Sequence, residues 1–286
     1  MTPRVSVVVP AFNNADYIEQ TIDSVLAQTF ADFELLIADH SSTDDTAILI
    51  ERYAADSRVR ISRTPAGGGA QRNWNCVSQA ATGEYLKLVC GDDLLYPAIL
   101  ERQVAELDRL DAGVAMTACS RDLVDGQGRV FLRARGLNGM YGRIDGRLAV
   151  RSIVRSGTNP LGEPACVLFR RSALEAAGWW DGTNPFYIDA GTYARVLMHG
   201  DLAALHDSLA AFRVSAGQWS VRLALEQSSQ AEAFHRLARE LAPETVRVTD
   251  VWRGNVMARK AELQRRAAYA VLGKRMRPAV PAPEAS

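Results

Sequence analysis

The chain of 286 residues has only four cysteines, Cys76, Cys90, Cys119 and Cys166, and no two of them form a Cys-x-x-Cys pair. That excludes a zinc or thioredoxin-like signature. A chain of this length buries enough apolar surface to fold without staples, so the thiols are expected to be reduced and buried, as in cytoplasmic proteins. Histidine is as scarce, with four residues and no metal-ligand spacing. Uninterrupted apolar runs fall well short of the ~18 residues that a membrane-spanning helix needs. The run at 5–9 is brief and leads to Pro10, Phe12, Asn13 and Asn14 without a small-residue cleavage pattern, which argues against a signal peptide. Excess charge is missing too. The 33 basic and 33 acidic residues cancel, so no nucleic-acid partner is expected. The triplet Gly67-Gly68-Gly69 lacks the spacing and lysine of a P-loop and the pattern of a dinucleotide fingerprint. There are no internal repeats.

What is present is a soluble globular composition, 48% hydrophobic and 23% charged. Through about residue 120, strand and helix signals alternate. Val5, Val7, Val8 and Val9 form a β-branched run suited to a strand buried on both faces. Ile18, Ile22, Val25 and Leu26 make one helical stripe. Residues 33–38 read as a second strand, and Ser42, Thr43, Asp44 and Asp45 as the opening of a second helix. Further strands are expected at 58–62, 85–89 and 114–119, with helices at 73–81 and around Leu100, Val104 and Leu107. This rhythm predicts an α/β fold with a mostly parallel sheet flanked by helices.

Beyond 120 the pattern changes. Asp125-Gly126 predicts a hairpin, 136–146 reads as a glycine-rich mobile stretch, 164–170 and 202–212 as strands, and 187–199 as a helix. After 221 the pattern is helical only. Residues 251–286 carry eight basic and two acidic side chains, and the end of the chain, 278–286, is expected to be a disordered tail.

Ligands of such sheets sit beyond the carboxyl ends of the strands. Asp39 falls there, and so do Asp92 and Asp93. Two adjacent carboxylates repel one another, and a divalent cation with hard oxygen ligands relieves that repulsion; a turn carrying solvated acids would look the same in sequence. A carboxylate at Asp39 can accept from a base or a ribose, or can cap a helix. Arg72, just after the glycine triplet, offers planar forked donors. Asp189, near a helix start, can be a cap or a general base.

The order of these elements is more specific than any one of them. Val5-Ser6-Val7-Val8-Val9-Pro10-Ala11-Phe12-Asn13-Asn14, then Asp39-His40-Ser41-Ser42-Thr43-Asp44, Arg72-Asn73 and Gly91-Asp92-Asp93 closely resemble the family 2 glycosyltransferases. Asn159-Pro160-Leu161-Gly162-Glu163-Pro164, Phe169-Arg170-Arg171, Gly178-Trp179-Trp180-Asp181 and the stretch from Asp189 to Arg195 continue the resemblance, which covers roughly 4–220. It implies a GT-A fold: a domain at 1–220 whose nucleotide-binding part is 1–120 and acceptor-binding part 121–220, followed by a helical extension at 221–286. It also implies inverting transfer of a sugar from a nucleotide-diphosphate donor, with UDP expected, to an acceptor hydroxyl in surface polysaccharide or glycoconjugate synthesis.

Carried over by that resemblance, Pro10, Ala11, Phe12 and Asn13 would line the nucleotide pocket. Asp39 would meet the base and Arg72 would help hold the nucleotide. Asp92 and Asp93 would hold Mn2+ or Mg2+, and Asp189 would be the catalytic base. Glu163, Trp179 and Trp180 are candidates for contact with a glycan or lipid-linked acceptor. The basic C-terminus fits peripheral contact with anionic lipid on the inner face of a membrane. Three positions depart from the family pattern. Cys90 replaces the first acid of Asp-x-Asp, His40 and Ser41 replace an Asp-Gly pair, and Ser215 stands where relatives carry a histidine. A metal-dependent nucleotidyltransferase and a catalytically silent nucleotide-sugar-binding module are the rival readings.

Overall fold

The computed structural model describes residues 2–218, 221, 223 and 226–278. In chain order the elements begin β1 (Val5–Ala11), α1 (Ile18–Leu26), β2 (Phe33–Asp39), α2 (Thr46–Glu51), β3 (Val59–Arg63), α3 (Gly69–Gln79) and β4 (Tyr85–Leu88). There follow β5 (Leu94–Leu95), α4 (Ile99–Arg109), β6 (Val114–Asp125), β7 (Val130–Arg135), β8 (Gly142–Ile144), α5 (Gly146–Ser156), β9 (Val167–Arg170) and α6 (Arg171–Ala176). The last are α7 (Ile188–Val196), β10 (Asp201–Val214), α8 (Gln227–Leu241) and α9 (Val248–Leu272).

One sheet runs β3-β2-β1-β4-β9-β6-β10-β5, with β7 paired to β6 and β8 to β10. All seven residues of β1 and all seven of β2 are buried, as expected of strands covered on both faces. β1 pairs in parallel with β2 and β4, β2 with β3, and β6 with β10. The expectation of a mostly parallel sheet holds for β3-β2-β1-β4 and for the long β6–β10 pair. β9 runs antiparallel to both β4 and β6, and β5, β7 and β8 also pair antiparallel. The short link at 126–129 makes β6 and β7 a hairpin, whereas β9 enters antiparallel between β4 and β6 after a long connection that contains α5. The hairpin read at Asp125-Gly126 joins β6 to β7, and the stretch read as mobile contains β8.

Asp44 Oδ1 accepts from the Thr46 amide at 3.0 Å, at the first residue of α2, and Ser42 and Asp44 also do a second job. Ser42 Oγ accepts from the Asn13 amide at 3.0 Å and Asp44 Oδ2 from the Ala15 amide at 3.1 Å, clipping the loop after β1 to the loop after β2. α8 and α9 close on the same core through Phe234, Ala238 and Ala258. The segment after α9 returns to the hairpin, where Arg275 Nε donates to the fully buried Asp125 at 2.8 Å. The tail expected at 278–286 lies outside the described residues beyond 278. Among the described residues no helix is long and apolar enough to cross a membrane.

Candidate active site

The carboxyl ends of β1, β2 and β3 are tied together by one buried side chain. Asn73, on α3, donates to the Ala38 carbonyl at 3.1 Å and the Ala11 carbonyl at 3.3 Å, and accepts from Thr64 Oγ1 at 2.7 Å. An amide serves here because it is both donor and acceptor. Around this knot stand the residues expected at the nucleotide. Phe12 is 49% exposed, with its ring centroid 5.8 Å from that of His40, while Pro10 and Ala11 are buried in the strand. His40 Nε2 donates to the Gly67 carbonyl at 3.0 Å, so that nitrogen carries the proton. Asn13 has φ 52° and Ser41 φ 53°, left-handed positions that turn both loops across the strand ends.

Asp39 is buried, accepts from the Ser42 amide at 3.1 Å, and lies 3.6 Å from Arg63 Nε. It holds its own loop in shape, and it borders an open cavity of about 260 Å³ between α2 and β3. Arg72 is exposed and gives one bond, to the Ala66 carbonyl at 3.2 Å. Gly68, at φ 77°, is needed beside it: a Cβ there would fall 2.7 Å from Arg72 Cδ.

A second group forms after β4, beside β6, at the end of β10 and at the start of α7. Asp93 is 1% exposed, and its Oδ1 accepts from the Arg213 amide at 3.1 Å. Burial, then the charges of Asp92 and Glu163, push its carboxyl well above the usual range. Asp92 remains partly exposed, and burial raises it to about 6 against the pull of Arg213. Arg213 is itself buried. It donates through Nε to the Asp92 carbonyl at 2.9 Å, donates to Gln20 at 2.8 Å, and lies 4.4 Å over the Tyr17 ring. Burial and the surrounding carboxylates push the Cys90 thiol well up, so it is a neutral thiol and a poor ligand for a hard cation.

Asp189 opens α7. Its Oδ2 accepts from Asn159 Nδ2 at 2.8 Å and its Oδ1 from the Ala190 amide at 2.6 Å. Burial raises it to about 7, Glu163 adds to the rise, and the Ala190 amide, Asn159 and Arg121 oppose it. Glu163 is gripped by Arg121, with contacts of 2.6 and 3.1 Å.

The structure therefore brings Asp92, Asp93, Glu163 and Asp189 into one electrostatically coupled cluster. It does not bring Trp180 there. Trp180 is 1% exposed, packs edge-on to Trp74 and Phe169, and donates through Nε1 to Ser78 at 2.9 Å. The expectation that it stacks on an acceptor is corrected to core packing, because its ring has no face left for a ligand. Trp179, at φ 66°, is partly buried against that core. The expectation of a two-carboxylate metal site likewise reduces to Asp92, because the Asp93 side chain is turned inward to the Arg213 amide. Among the described residues no group of three or more His, Cys, Asp or Glu could hold a metal ion. One partly exposed carboxylate fits an ion whose other ligands are phosphates and water.

Arg213, Arg121 and Asn159 went unassigned in the sequence. Their signals are faint: Arg213 stands two residues before Ser215, Arg121 follows the apolar run of β6, and Asn159 opens Asn-Pro-Leu-Gly-Glu-Pro.

A sequence profile of the family described as Glycosyl transferase family 2 matches residues 6–178. An uncharacterised glycosyltransferase of Rickettsia typhi is 32% identical over 124 residues, covering 43% of this chain and 38% of that protein. The match thus spans well under half of that relative's length. Among solved structures, Staphylococcus aureus TarS in complex with UDP-GlcNAc matches with a TM-score of 0.68 at 18% identity, over 94% of this chain and 73% of that one. The mannosyltransferase PcManGT of Pyrobaculum calidifontis, in complex with GDP-Man and Mn2+, matches with a TM-score of 0.64 at 19% identity, over 96% and 76%. These likenesses establish a GT-A-like fold.

Proposed function

The chain belongs to glycosyl transferase family 2, and from that premise we propose that it moves a sugar from a nucleotide-diphosphate sugar to an acceptor hydroxyl with inversion at the anomeric carbon. The observation that carries this reading is the state of Asp189. It is a carboxylate oriented by Asn159 at 2.8 Å and poised at about 7, where a general base works near neutral pH. Asp189 takes the proton of the acceptor hydroxyl as that oxygen attacks. The bond to the diphosphate breaks on the opposite face, and no covalent glycosyl-enzyme is needed. The single base matches one displacement.

Phe12, Asn13, Asp39 and Arg72 receive the nucleotide, with Asn73 holding the loops that carry them. The likeness to structures containing UDP-GlcNAc and GDP-Man with Mn2+ supports a nucleotide-sugar donor and a divalent ion. Asp92 is the residue that would hold Mn2+ or Mg2+, and the ion would spread the negative charge of the leaving diphosphate. Arg213 braces the Asp92 loop from below. Glu163, held by Arg121, sets the field at Asp189 and stands on the acceptor side, where a glycan or lipid-linked acceptor would enter. Surface polysaccharide or glycoconjugate synthesis is the setting this chemistry fits.

The test is transfer or donor hydrolysis across a panel of UDP- and GDP-sugars with manganese, comparing wild type with Asp189→Asn and Asp92→Asn. Sugar transfer lost in both variants is expected. Equal turnover in all three proteins would overturn the assignment. Release of pyrophosphate from a nucleoside triphosphate would move the chain to the nucleotidyltransferases.

A further inference from the structure

Between α5 and α9 lies an open recess of about 530 Å³ whose lining includes Arg151, Arg155, Arg253, Ser152, Ser156 and Asn138. Arg151 and Arg155 are one turn apart on α5 and so share a face. Both reach Asp250, which is 1% exposed. Arg151 Nε donates at 2.8 Å and Nη2 at 3.4 Å, Arg155 Nη1 donates at 2.6 Å, and the Arg247 amide adds a bond at 3.1 Å. Burial by itself would raise the Asp250 pKa; the bonds from Arg151, the Arg247 amide and Arg155 prevail and lower it, so Asp250 remains a carboxylate. One buried negative charge thus aligns two guanidiniums, and each keeps N–H donors uncommitted. Arg253 is exposed and has no hydrogen bond or ion pair among the described residues. Three cations therefore stand against one anion.

The frame is rigid. A Cβ at Gly254 would fall 2.3 Å from the Val154 carbonyl oxygen, and one at Gly157 would fall 2.3 Å from the Ala258 nitrogen. The two helices touch backbone to backbone, which fixes the spacing of the arginines before any ligand arrives. α5 then leads through 157–158 to Asn159, the residue that orients Asp189.

We propose that this recess binds a phosphate ester group. Planar forked donors match phosphate oxygens two at a time, and Ser152 and Asn138 supply further neutral donors, the Ser156 hydroxyl being spent on the Ile153 and Thr158 carbonyls. Two sources share this chemistry: a soluble phosphate ester, such as the phosphate of a phosphorylated acceptor, and the headgroup of an anionic phospholipid. The site rests on its own residues and does not require the catalytic reading, so either can fail alone.

The experiment uses the full chain. Glycerol 3-phosphate is titrated by calorimetry into wild type, Arg253→Gln and Arg72→Gln. The same proteins are sedimented with phosphatidylglycerol vesicles and with phosphatidylcholine vesicles. Arg253→Gln removes an unpaired exposed side chain and should leave the melting temperature unchanged, so lost binding is not lost folding. Expected is binding that weakens about tenfold in Arg253→Gln, the loss of roughly one charge-assisted contact, and is unchanged in Arg72→Gln. Calorimetric binding of glycerol 3-phosphate identifies the soluble source. Arg253-dependent binding to phosphatidylglycerol vesicles alone identifies the lipid headgroup. Binding to neither probe, or binding that Arg253→Gln does not weaken, overturns the proposal.

Discussion

The Nδ2 of Asn159 donates to Asp189 Oδ2 at 2.8 Å, across 30 residues of sequence. The bond stabilises the charged carboxylate and fixes its direction. Replacing Asn159 by Ala should lower kcat by about tenfold, and Asp189→Asn should lower it by about 10²–10⁴, the usual worth of general-base catalysis. Steady-state transfer assays check both. An Asn159→Ala enzyme as fast as wild type would remove the orienting role.

Proton uptake at Asp189 should be visible in rate and in stability. With the folded carboxyl raised to about 7 by burial, kcat/KM should climb with pH through about 7 and then level. Removing Asn159 deletes a donor to the charged form, so the midpoint should move up. The stability sign is opposite. A carboxyl whose folded pKa lies above its unfolded value contributes stability that is fully present below about 4 and lost as pH rises through about 7. Asp189→Asn should therefore melt higher than wild type at pH 8 and lose this advantage toward pH 4. Parallel melting curves for the two proteins would contradict the raised value.

Asp92 and Asp93 are adjacent and should behave differently. Asp92→Asn should raise the manganese concentration for half-maximal transfer by about tenfold or more, since it removes the partly exposed carboxylate of this pair. Asp93→Asn keeps an oxygen acceptor for the Arg213 amide and relieves repulsion with Asp92. Its manganese requirement should stay near wild type and its melting temperature should not fall. Chelation by EDTA should abolish transfer in wild type, with manganese restoring it.

Trp180 should report on stability and not on acceptor affinity. Trp180→Ala opens a cavity beside Trp74 and Phe169 and leaves Ser78 without its donor, at a cost of about 3–5 kcal/mol. Trp180→Phe should fold and keep the acceptor KM. A large KM rise in folded Trp180→Phe would return this residue to the acceptor site.

Arg213→Met removes the cation from the Tyr17 ring and from the Asp92 carbonyl. It should raise the manganese requirement without touching the pH midpoint set at Asp189. Measuring both parameters on one protein separates support of the Asp92 loop from an effect on the base.

Local chemistry by itself determined the first half of the molecule. The valine run of β1, the acids at the ends of β2 and β4 and the helical stripe of α1 depend on patterns within one element, and a parallel βαβ rhythm follows from short-range order. The order of motifs was equally legible, because Asp39 and Asp92 fall at strand ends, Arg72 follows the glycine triplet and Asp189 opens a helix. Only the tertiary structure decided which side chains share a cleft. Arg213 reaches Asp92 across 121 residues, and Arg121 reaches Glu163 across 42. It also sent Trp180 into the core and Asp93 inward, since exposure is a property of the packed whole and two neighbouring residues on a loop can face opposite ways. The antiparallel return of β9 and the Arg151–Asp250–Arg155 arrangement had no local signature for the same reason: pairing partners far apart in the chain are chosen by the space that the rest of the fold leaves.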